Sequence, residues 1–369
     1  MAVVNSAYEA NGFANALLYD LSKAFDCIPH DLLLRKLDYY GIKGNENNLL
    51  KSYLSYRYQI VQINNERSEP QVVKYGVPQG SILGPFLFLI MINDLSDNVS
   101  SHTILYADDT TFLTTHTSIE DLNTLSNSVI NESANWFKLN GFIVNADKTQ
   151  NILFNLKNVH SNNMQSVKLL GMCLDAKMTW CIHVDYVTRK LSTVVYMIRS
   201  LVKKLPRHYL RCVYFAFFES IFRYGLLIYG NASNILNVLL LQKKVIRLIT
   251  DSKYDAHCKP LFKQVKIMTV FNLYIYEVLI YMKKNINKFE LRSNVHSYST
   301  RNAHKLQFPY VRLSKSQSYY KYLGFKLYSK LPLSIKNLDI RLFKGKVYNW
   351  LLDNPFYCIQ EYLDMTIVF

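Results

Sequence analysis

What this chain lacks narrows the field first. No apolar run reaches the roughly 18 residues a membrane helix needs, because the two most apolar stretches, 82–92 and 212–229, are interrupted by Gly84 and Pro85 and by Glu219 and Arg223. No membrane span is expected. Residues 1–8 carry neither a basic start nor an apolar block, so no secretory signal is expected either. The six cysteines, at 27, 173, 181, 212, 258 and 358, form no C-x-x-C pair. That argues against a zinc framework and a disulfide scaffold, and for reduced, mostly buried thiols in an intracellular protein, cytoplasmic or nuclear. No internal repeat or low-complexity tract occurs. Positive charge is missing from the front: the first Lys or Arg is Lys23.

Apolar and aromatic side chains are plentiful, 50% and 14% of 369 residues. That is enough for a sizeable core and, at this length, for two or three domains. The formal net charge of +16 is divided unevenly. Residues 1–150 hold 10 Lys+Arg against 16 Asp+Glu, a balance of −6, and residues 151–369 hold 33 against 11, a balance of +22. One reading is a metal-using front joined to a rear that holds a polyanion. The other is a merely soluble basic surface.

Along the chain, residues 1–15 show no clear pattern. Ala16 to Tyr19 is expected as a buried strand ending on Asp20, where a carboxylate is costly unless a cation or metal receives it. Asp31 is placed to cap a helix over 32–40 closed by Gly41. A second helix is expected near 47–57, and 58–63 with 71–75 as a hairpin about Asn64-Asn65. Gly76 to Pro85, G-V-P-Q-G-S-I-L-G-P, sets three glycines and two prolines in a rigid loop, with Gly80 open to close approach. A buried helix over 86–95 follows. Ser118 and Asp121 have capping-box spacing ahead of a long amphipathic helix ended by Gly141. Strands are expected at 142–144 and 150–154, about a turn N-A-D-K-T that presents Lys148, and at 167–174. Beyond His183 the pattern turns helical and basic: Arg189, Lys190, Arg199, Lys203, Lys204 and Arg207 mix with apolar residues, and Pro206 splits the run. Further helices are expected over 213–229, 235–249 and 270–284. Residues 288–330 mix Lys, Arg and Tyr without periodicity, which suits a nucleic-acid groove or a tyrosine-rich core. Trp350 and Leu351 fall in a last short helix.

The stretch with the most chemistry in it is Thr103 to Thr115, T-I-L-Y-A-D-D-T-T-F-L-T-T. Two β-rich runs flank Asp108 and Asp109, the pattern of a hairpin whose tight turn carries both aspartates. A plain surface hairpin reads the same way. Ile104, Leu105, Tyr106, Phe112 and Leu113 are expected to set the pair against a core, where two carboxylates need a cation, and no matching Lys or Arg stands nearby in sequence. That points to a metal. Asp20, the glycine loop and the aspartate turn converge if both strands share an antiparallel sheet. Phosphoryl transfer with two Mg²⁺ is the chemistry that uses such a set. Side chains alternate along a strand, so Asp20 with Asp108 is the leading pair.

In order, L-Y-D-L-S-K-A-F-D (18–26), G-V-P-Q-G-S-I-L-G-P (76–85), Y-A-D-D (106–109) and N-A-D-K-T (145–149) resemble the reverse transcriptase of non-LTR, LINE-type, jockey-like retrotransposons. The likeness is sharpest from Ala16 to Phe154 and continues through K-L-L-G-M-C-L-D (168–175), which is similar to the family's primer grip. It implies an α+β polymerase palm, an antiparallel sheet backed by helices, over 1–165, with a primer-grip segment over 166–182. A helical basic thumb over 183–285 and a basic C-terminal region over 286–369 would follow. The implied function is an RNA-directed DNA polymerase that adds dNTPs to a DNA primer 3′-hydroxyl on an RNA template, using two Mg²⁺, with Mn²⁺ as a substitute. By position, Asp20, Asp108 and Asp109 would be catalytic and, with the Leu21 carbonyl, would bind metal. Phe25 would pack under the sugar and exclude ribonucleotides, and Gln79 and Gly80 would lie against the incoming nucleotide and template. Lys148 would protonate pyrophosphate, Asp26 would be structural, and the thumb cations Arg189, Lys190, Arg199, Lys203, Lys204 and Arg207 would hold nucleic acid.

The chain departs from that family at the front. There the family carries basic fingers for the triphosphate, whereas here 19 residues without Lys or Arg precede Asp20. No endonuclease segment or ribonuclease H set is read in the sequence. The expectation is an N-terminally truncated polymerase, its fingers mostly missing and its activity impaired. Two other functions fit the residues: a catalytically silent nucleic-acid-binding remnant, and an RNA-dependent RNA polymerase, against which Phe25 and Y-A-D-D argue.

Overall fold

In the computed structural model, which describes residues 1–157, 166–292 and 306–367, the chain is α+β and divides into two units, Met1–Val167 and Lys168–Phe369. The first runs α1 (Ala2–Glu9), β1 (Phe13–Tyr19), β2 (Leu21–Ser22), α2 (His30–Tyr39) and α3 (Gly44–Leu54). Next come the short strands β3 (Tyr58–Gln59), β4 (Gln62–Ile63), β5 (Glu66–Arg67) and β6 (Gln71–Val72), then α4 (Leu83–Ile92). It closes with β7 (His102–Tyr106), β8 (Asp109–His116), α5 (Ile119–Leu139), β9 (Ile143–Val144) and β10 (Gln150–Phe154).

β1 is the organising strand. All seven of its residues are buried, and a strand covered on both faces has no solvent side to mark with polar residues, hence the near-continuous apolar text. It pairs antiparallel with β8 and β10, and β7 adds to β8, giving the order β10-β1-β8-β7. On one face Leu17, Tyr19 and Phe112 pack with Leu33, Leu37, Leu87, Phe88, Met91, Trp136 and Phe137 from α2, α4 and α5. Full burial of such side chains contributes about 1.5–3 kcal/mol each. Phe13, Leu153 and Leu122 form a smaller cluster. Asn15, a buried amide in the central strand, donates to Ser126 Oγ at 3.0 Å, and Ser126 in turn bonds Thr114 Oγ1 at 3.1 Å. Sheet and α5 are thus joined by a polar link as well as an apolar one.

Several expectations shift here. The patternless start is α1, and β1 begins at Phe13. Pro29, not Asp31, precedes α2, and Asp31 sits in its first turn. Ser118 is the N-cap of α5 but no capping box forms: its hydroxyl donates to Glu120, while Asp121 pairs with His116 at 3.3 Å. The helix after the glycine loop starts earlier, at Leu83, and ends in a 3-10 turn, Asn93–Asp97. The expected hairpin is two nested ladders, β3 with β6 and β4 with β5.

Where a single strand was expected at 167–174 there is a hairpin, β11 (Ser166–Leu169) and β12 (Met172–Asp175). Leu170 and Gly171 both have positive φ, +46° and +80°, the signature of a tight two-residue hairpin turn. The second unit is otherwise helical: α6 (Cys181–Val202), α7 (Arg207–Val213), a π-turn over Tyr214–Glu219, α8 (Ser220–Arg223), α9 (Leu226–Tyr229), α10 (Leu236–Thr250), α11 (Cys258–Val265) and α12 (Val270–Lys284). The helix expected over 213–229 is broken at Tyr224, which is extended at ψ 116°, and at Gly225, whose φ of +70° favours glycine. Trp350 and Leu351 lie in a 14-residue helix, Ile340–Asp353, and one more helix, Ile359–Asp364, follows it. Of the tyrosine-rich stretch 288–330, residues 293–305 lie outside the described residues. All six cysteines are free, but only Cys258 is buried and Cys212 and Cys358 are exposed, contrary to expectation. Among the described residues no single helix is long and apolar enough to cross a membrane; the pair α11 and α12, bent by 56°, passes that test jointly, by length and composition only.

Candidate active site

Register places the acidic residues. Tyr19 pairs with Thr110 and Leu18 with Gln150, so the residue after Tyr19 comes level with Asp109 on one side and Lys148 on the other. Asp20 therefore leaves the central strand between a carboxylate and an ammonium. Tyr19 fixes that strand end: its ring packs on Phe112 and Phe137 at 5.5 and 5.6 Å, and its hydroxyl accepts from Ser133 Oγ at 3.2 Å. Tyr106 pairs with Asp109, so the β7–β8 turn consists of Ala107 and Asp108, correcting the expected Asp108–Asp109 turn. Ala107 takes φ +52°, a conformation that strains a residue with a Cβ. Asp108 is exposed at the tip, while Asp109 opens β8 half-buried.

Electrostatics tie the three acids together. Partial burial, and then the negative charges of Asp108 and Asp20, raise the Asp109 pKa. Among the described residues no three His, Cys, Asp or Glu side chains stand ready to hold a metal. The donor set nonetheless fits a hard cation: carboxylate oxygens in small number, with room for water, are what Mg²⁺ takes. The Leu21 carbonyl is compatible as well. Asn145 N–H donates to the Asp20 carbonyl at 2.9 Å, which makes Leu21 and Val144 a pair whose own main-chain groups point away from each other.

The matching cation that sequence proximity did not supply comes from farther along. Lys148 Nζ stands 3.4 Å from Asp20 Oδ2. Its turn is anchored to Asp20: Asn145, bonded through its N–H to the Asp20 carbonyl, accepts on its own carbonyl from Thr149 N–H and Oγ1 at 3.0 and 2.8 Å and from Lys148 N–H at 3.3 Å. Two-thirds of the Lys148 side chain is exposed, so the pair adds little stability. What it provides is a cation beside the acids.

The glycine loop is docked onto the segment after Asp20. Gly76 N–H donates to the Ile28 carbonyl and Val77 N–H to the Phe25 carbonyl, each at 2.8 Å. A Cβ on Gly76 would lie 2.8 Å from Asp26 Cα, so only glycine permits this approach. The docking brings Gln79 to Asp26, Nε2 donating to Oδ1 at 2.8 Å. Gly80, at φ +81°, has open space where a side chain would be. Phe25 is half-buried and stacks on Phe88, centroids 4.7 Å apart. Asp26, Gln79, Arg57, Tyr58 and Tyr75 line one open cavity of about 490 Å³. The Asp26–Gln79 pairing was missed in the sequence, where no spacing rule links the two.

In the second unit Arg189, Lys190, Arg199, Lys203, Lys204 and Arg207 are all exposed. Lys190 lies 4.5 Å over the Tyr186 ring, and Arg207 is engaged by Asp251 at 2.9 Å.

Comparison with known proteins bears on both units. Residues 7–174 match the family described as reverse transcriptase (RNA-dependent DNA polymerase). The chain is 30% identical to the probable RNA-directed DNA polymerase from transposon BS of Drosophila melanogaster, and 27% identical to the RNA-directed DNA polymerase from mobile element jockey of the same organism. Each alignment covers 72% of this chain and 32% of the relative, so the chain spans about a third of the length of these proteins. Among solved structures, apo telomerase from Candida tropicalis is 14% identical, covering 78% of this chain and 53% of that one, with a TM-score of 0.42.

Proposed function

We infer that this chain, whose residues 7–174 are a reverse transcriptase domain of the LINE type, is the polymerising segment of an RNA-directed DNA polymerase of retrotransposon origin. The observation that carries the inference is the end of β1: Asp20, held between Asp109 at the start of β8 and Lys148, with Asp108 in the adjoining turn and the Phe25 and Gln79 elements docked beside it.

Asp20, Asp108 and Asp109, with the Leu21 carbonyl, would hold Mg²⁺, two ions in the working state, with Mn²⁺ as a substitute. When bound, such ions lower the pKa of an attacking 3′-hydroxyl and neutralise phosphate charge. The protein's own part is positioning, which is most of what a phosphoryl-transfer enzyme contributes. Phe25, braced by Phe88, offers a ring edge under the sugar, where a 2′-hydroxyl would have no room. Gln79 and the bare backbone at Gly80 face the nucleotide and template. Lys148 carries a proton that it can deliver to the departing pyrophosphate, Asp20 keeping its ammonium near the acids until then. RNA template and DNA primer would be held by exposed cations of α6 and of the turn that follows it, among them Arg189, Lys190, Arg199, Lys203 and Lys204.

The test is primer extension on an RNA template with Mg²⁺ and dNTPs, run on the chain and on three variants. Asp108→Asn should abolish incorporation. Lys148→Ala should lower the single-turnover rate by about 10²-fold or more. Lys148→Arg should fail comparably, because it keeps the ion pair with Asp20 but holds its proton too tightly to give it up. A chain that binds primed template and incorporates nothing is the silent remnant instead. An arginine variant as fast as the parent would remove Lys148 from the chemistry.

A further inference from the structure

We propose that Asp26 is a positioning residue that fixes the hydrogen-bonding polarity of Gln79, so that Gln79 presents an acceptor to the nucleoside part of a bound nucleotide. The ligand rests on the polymerase reading above; the polarity rests on local chemistry alone. An ionised carboxylate can only accept, so the Gln79 group 2.8 Å from Asp26 Oδ1 is the amide nitrogen. An amide orientation that is ordinarily ambiguous is thus decided by its partner. Oε1 is the group left over.

The main chain that carries Asp26 is held in place. The Asp26 N–H donates to the Lys23 carbonyl at 2.8 Å, and the carbonyls on either side of it, Phe25 and Ile28, accept from Val77 and Gly76 of the loop that carries Gln79. An outward acceptor has a chemical consequence. Phosphate oxygens are acceptors too, so Oε1 repels a triphosphate and pairs with a donor, either a sugar hydroxyl or a base N–H. Gln79 thereby sorts ligands by their nucleoside, and Asp26 makes that possible without touching them.

The experiment uses the full chain bound to an RNA template whose primer ends in a 3′-deoxy nucleotide, so that nothing is incorporated, and whose next base is uracil, with Mg²⁺. Affinity is measured for dATP, for 2′,3′-dideoxy-ATP and for the deoxynucleotide lacking the 6-amino group. Read as the difference from Gln79→Ala, so that the pair the 6-amino group makes with the template uracil cancels, one analogue should bind about three- to tenfold more weakly than dATP, the range of a single hydrogen bond, and which one identifies the donor as sugar or base. Asp26→Ala should erase that preference. Asp26→Asn should keep it, because Oδ1 still accepts. Gln79→Glu should lose it by repulsion from Asp26, and adding Asp26→Asn should restore it, since the amide introduced at position 26 can donate to the carboxylate introduced at position 79. A preference no different from that of Gln79→Ala, an Asp26→Ala variant that discriminates like the parent, or no recovery in the double variant would each overturn the proposal. Selective ¹⁵N-glutamine labelling reads the polarity without nucleotide. The Gln79 side-chain amide, assigned by its absence in Gln79→Glu, should move as Asp26 is protonated and stay put in Asp26→Ala. A chain that binds no dNTP yet shows that movement would defeat the polymerase reading and leave the polarity standing; an amide that ignores acid would defeat the proposal itself.

Discussion

Asp109 shows how one residue can trade stability against a task. Half-buried beside two other carboxylates, its acid is held above the usual aspartate range, by burial first and then by Asp108 and Asp20. A raised carboxyl pKa means the folded state favours the protonated form. The stabilising contribution is present below the unfolded-state pKa and is lost as pH rises through the folded one. At neutral pH without metal the ionised residue therefore works against the fold. Asp109→Asn should melt about 1–2 °C higher than the parent without metal, with no such gain at strongly acid pH. The same variant should lose most of the stabilisation that millimolar Mg²⁺ gives the parent. Thermal melts with and without Mg²⁺ at both pH values check this; equal Mg²⁺ effects in the two proteins would detach Asp109 from metal binding.

At the scale of an element, the π-turn Tyr214–Glu219 sets up a second charge conflict. It turns Glu219 inward, to 8% side-chain exposure, and burial pushes its acid up to about 7. Arg223 opposes that shift without cancelling it: its closer bond, at 2.7 Å, goes to Glu277 of α12, whose charge raises the Glu219 acid further, while Glu219 receives one of 3.4 Å. Arg211, a farther cation, favours the ionised form, and Tyr214 also feels the charge of Glu219. His183 of α6 lies buried against Tyr229, its Nδ1 accepting from Cys173 N–H, and burial pushes it down to about 4. The signs oppose. Glu219 loses its contribution as pH rises from about 4.5 to about 7, and His183 loses its own as pH falls from about 6.5 to about 4. Glu219→Gln should thus gain, relative to the parent, on the order of 3 kcal/mol between pH 4.5 and pH 8. With Glu219 silent, the acid loss from His183 should stand out. Denaturant midpoints across that range decide it, and parallel curves for the two proteins would refute the burial of a protonated Glu219.

For the molecule as a whole, charge is the organising quantity. The acids cluster at the end of one sheet in the first unit, while the balance of +22 over 151–369 is carried partly by exposed residues of α6 and α7. Affinity for a primed template should fall steeply with salt. Arg199→Ala and Lys203→Ala should each reduce the slope of log K against log salt by about 1. Arg207→Ala should change it less, since Asp251 already occupies that guanidinium at 2.9 Å. A flat salt response, or Arg207 as the strongest of the three, would contradict this assignment.

By itself the sequence determined whatever is decided within a few turns of chain. The apolar run before Asp20 is a strand because nothing in it suits solvent. Val270–Lys284 matches its expected helix end to end, with Thr269 accepting from Asn272 N–H at its start. The four motifs likewise marked the family, because residues adjacent in sequence are read together. Only the tertiary structure decided the rest. Sheet register set Lys148 against Asp20, and loop docking set Gln79 against Asp26. Strand pairing moved the aspartate turn by one residue. Where the chain leaves helical geometry at Tyr224, Gly225 takes a φ of +70° that favours glycine, and a helix expected to run on is broken there. Periodicity and propensity act over neighbouring residues, whereas these placements depend on side chains far apart in sequence competing for the same space and the same hydrogen bonds.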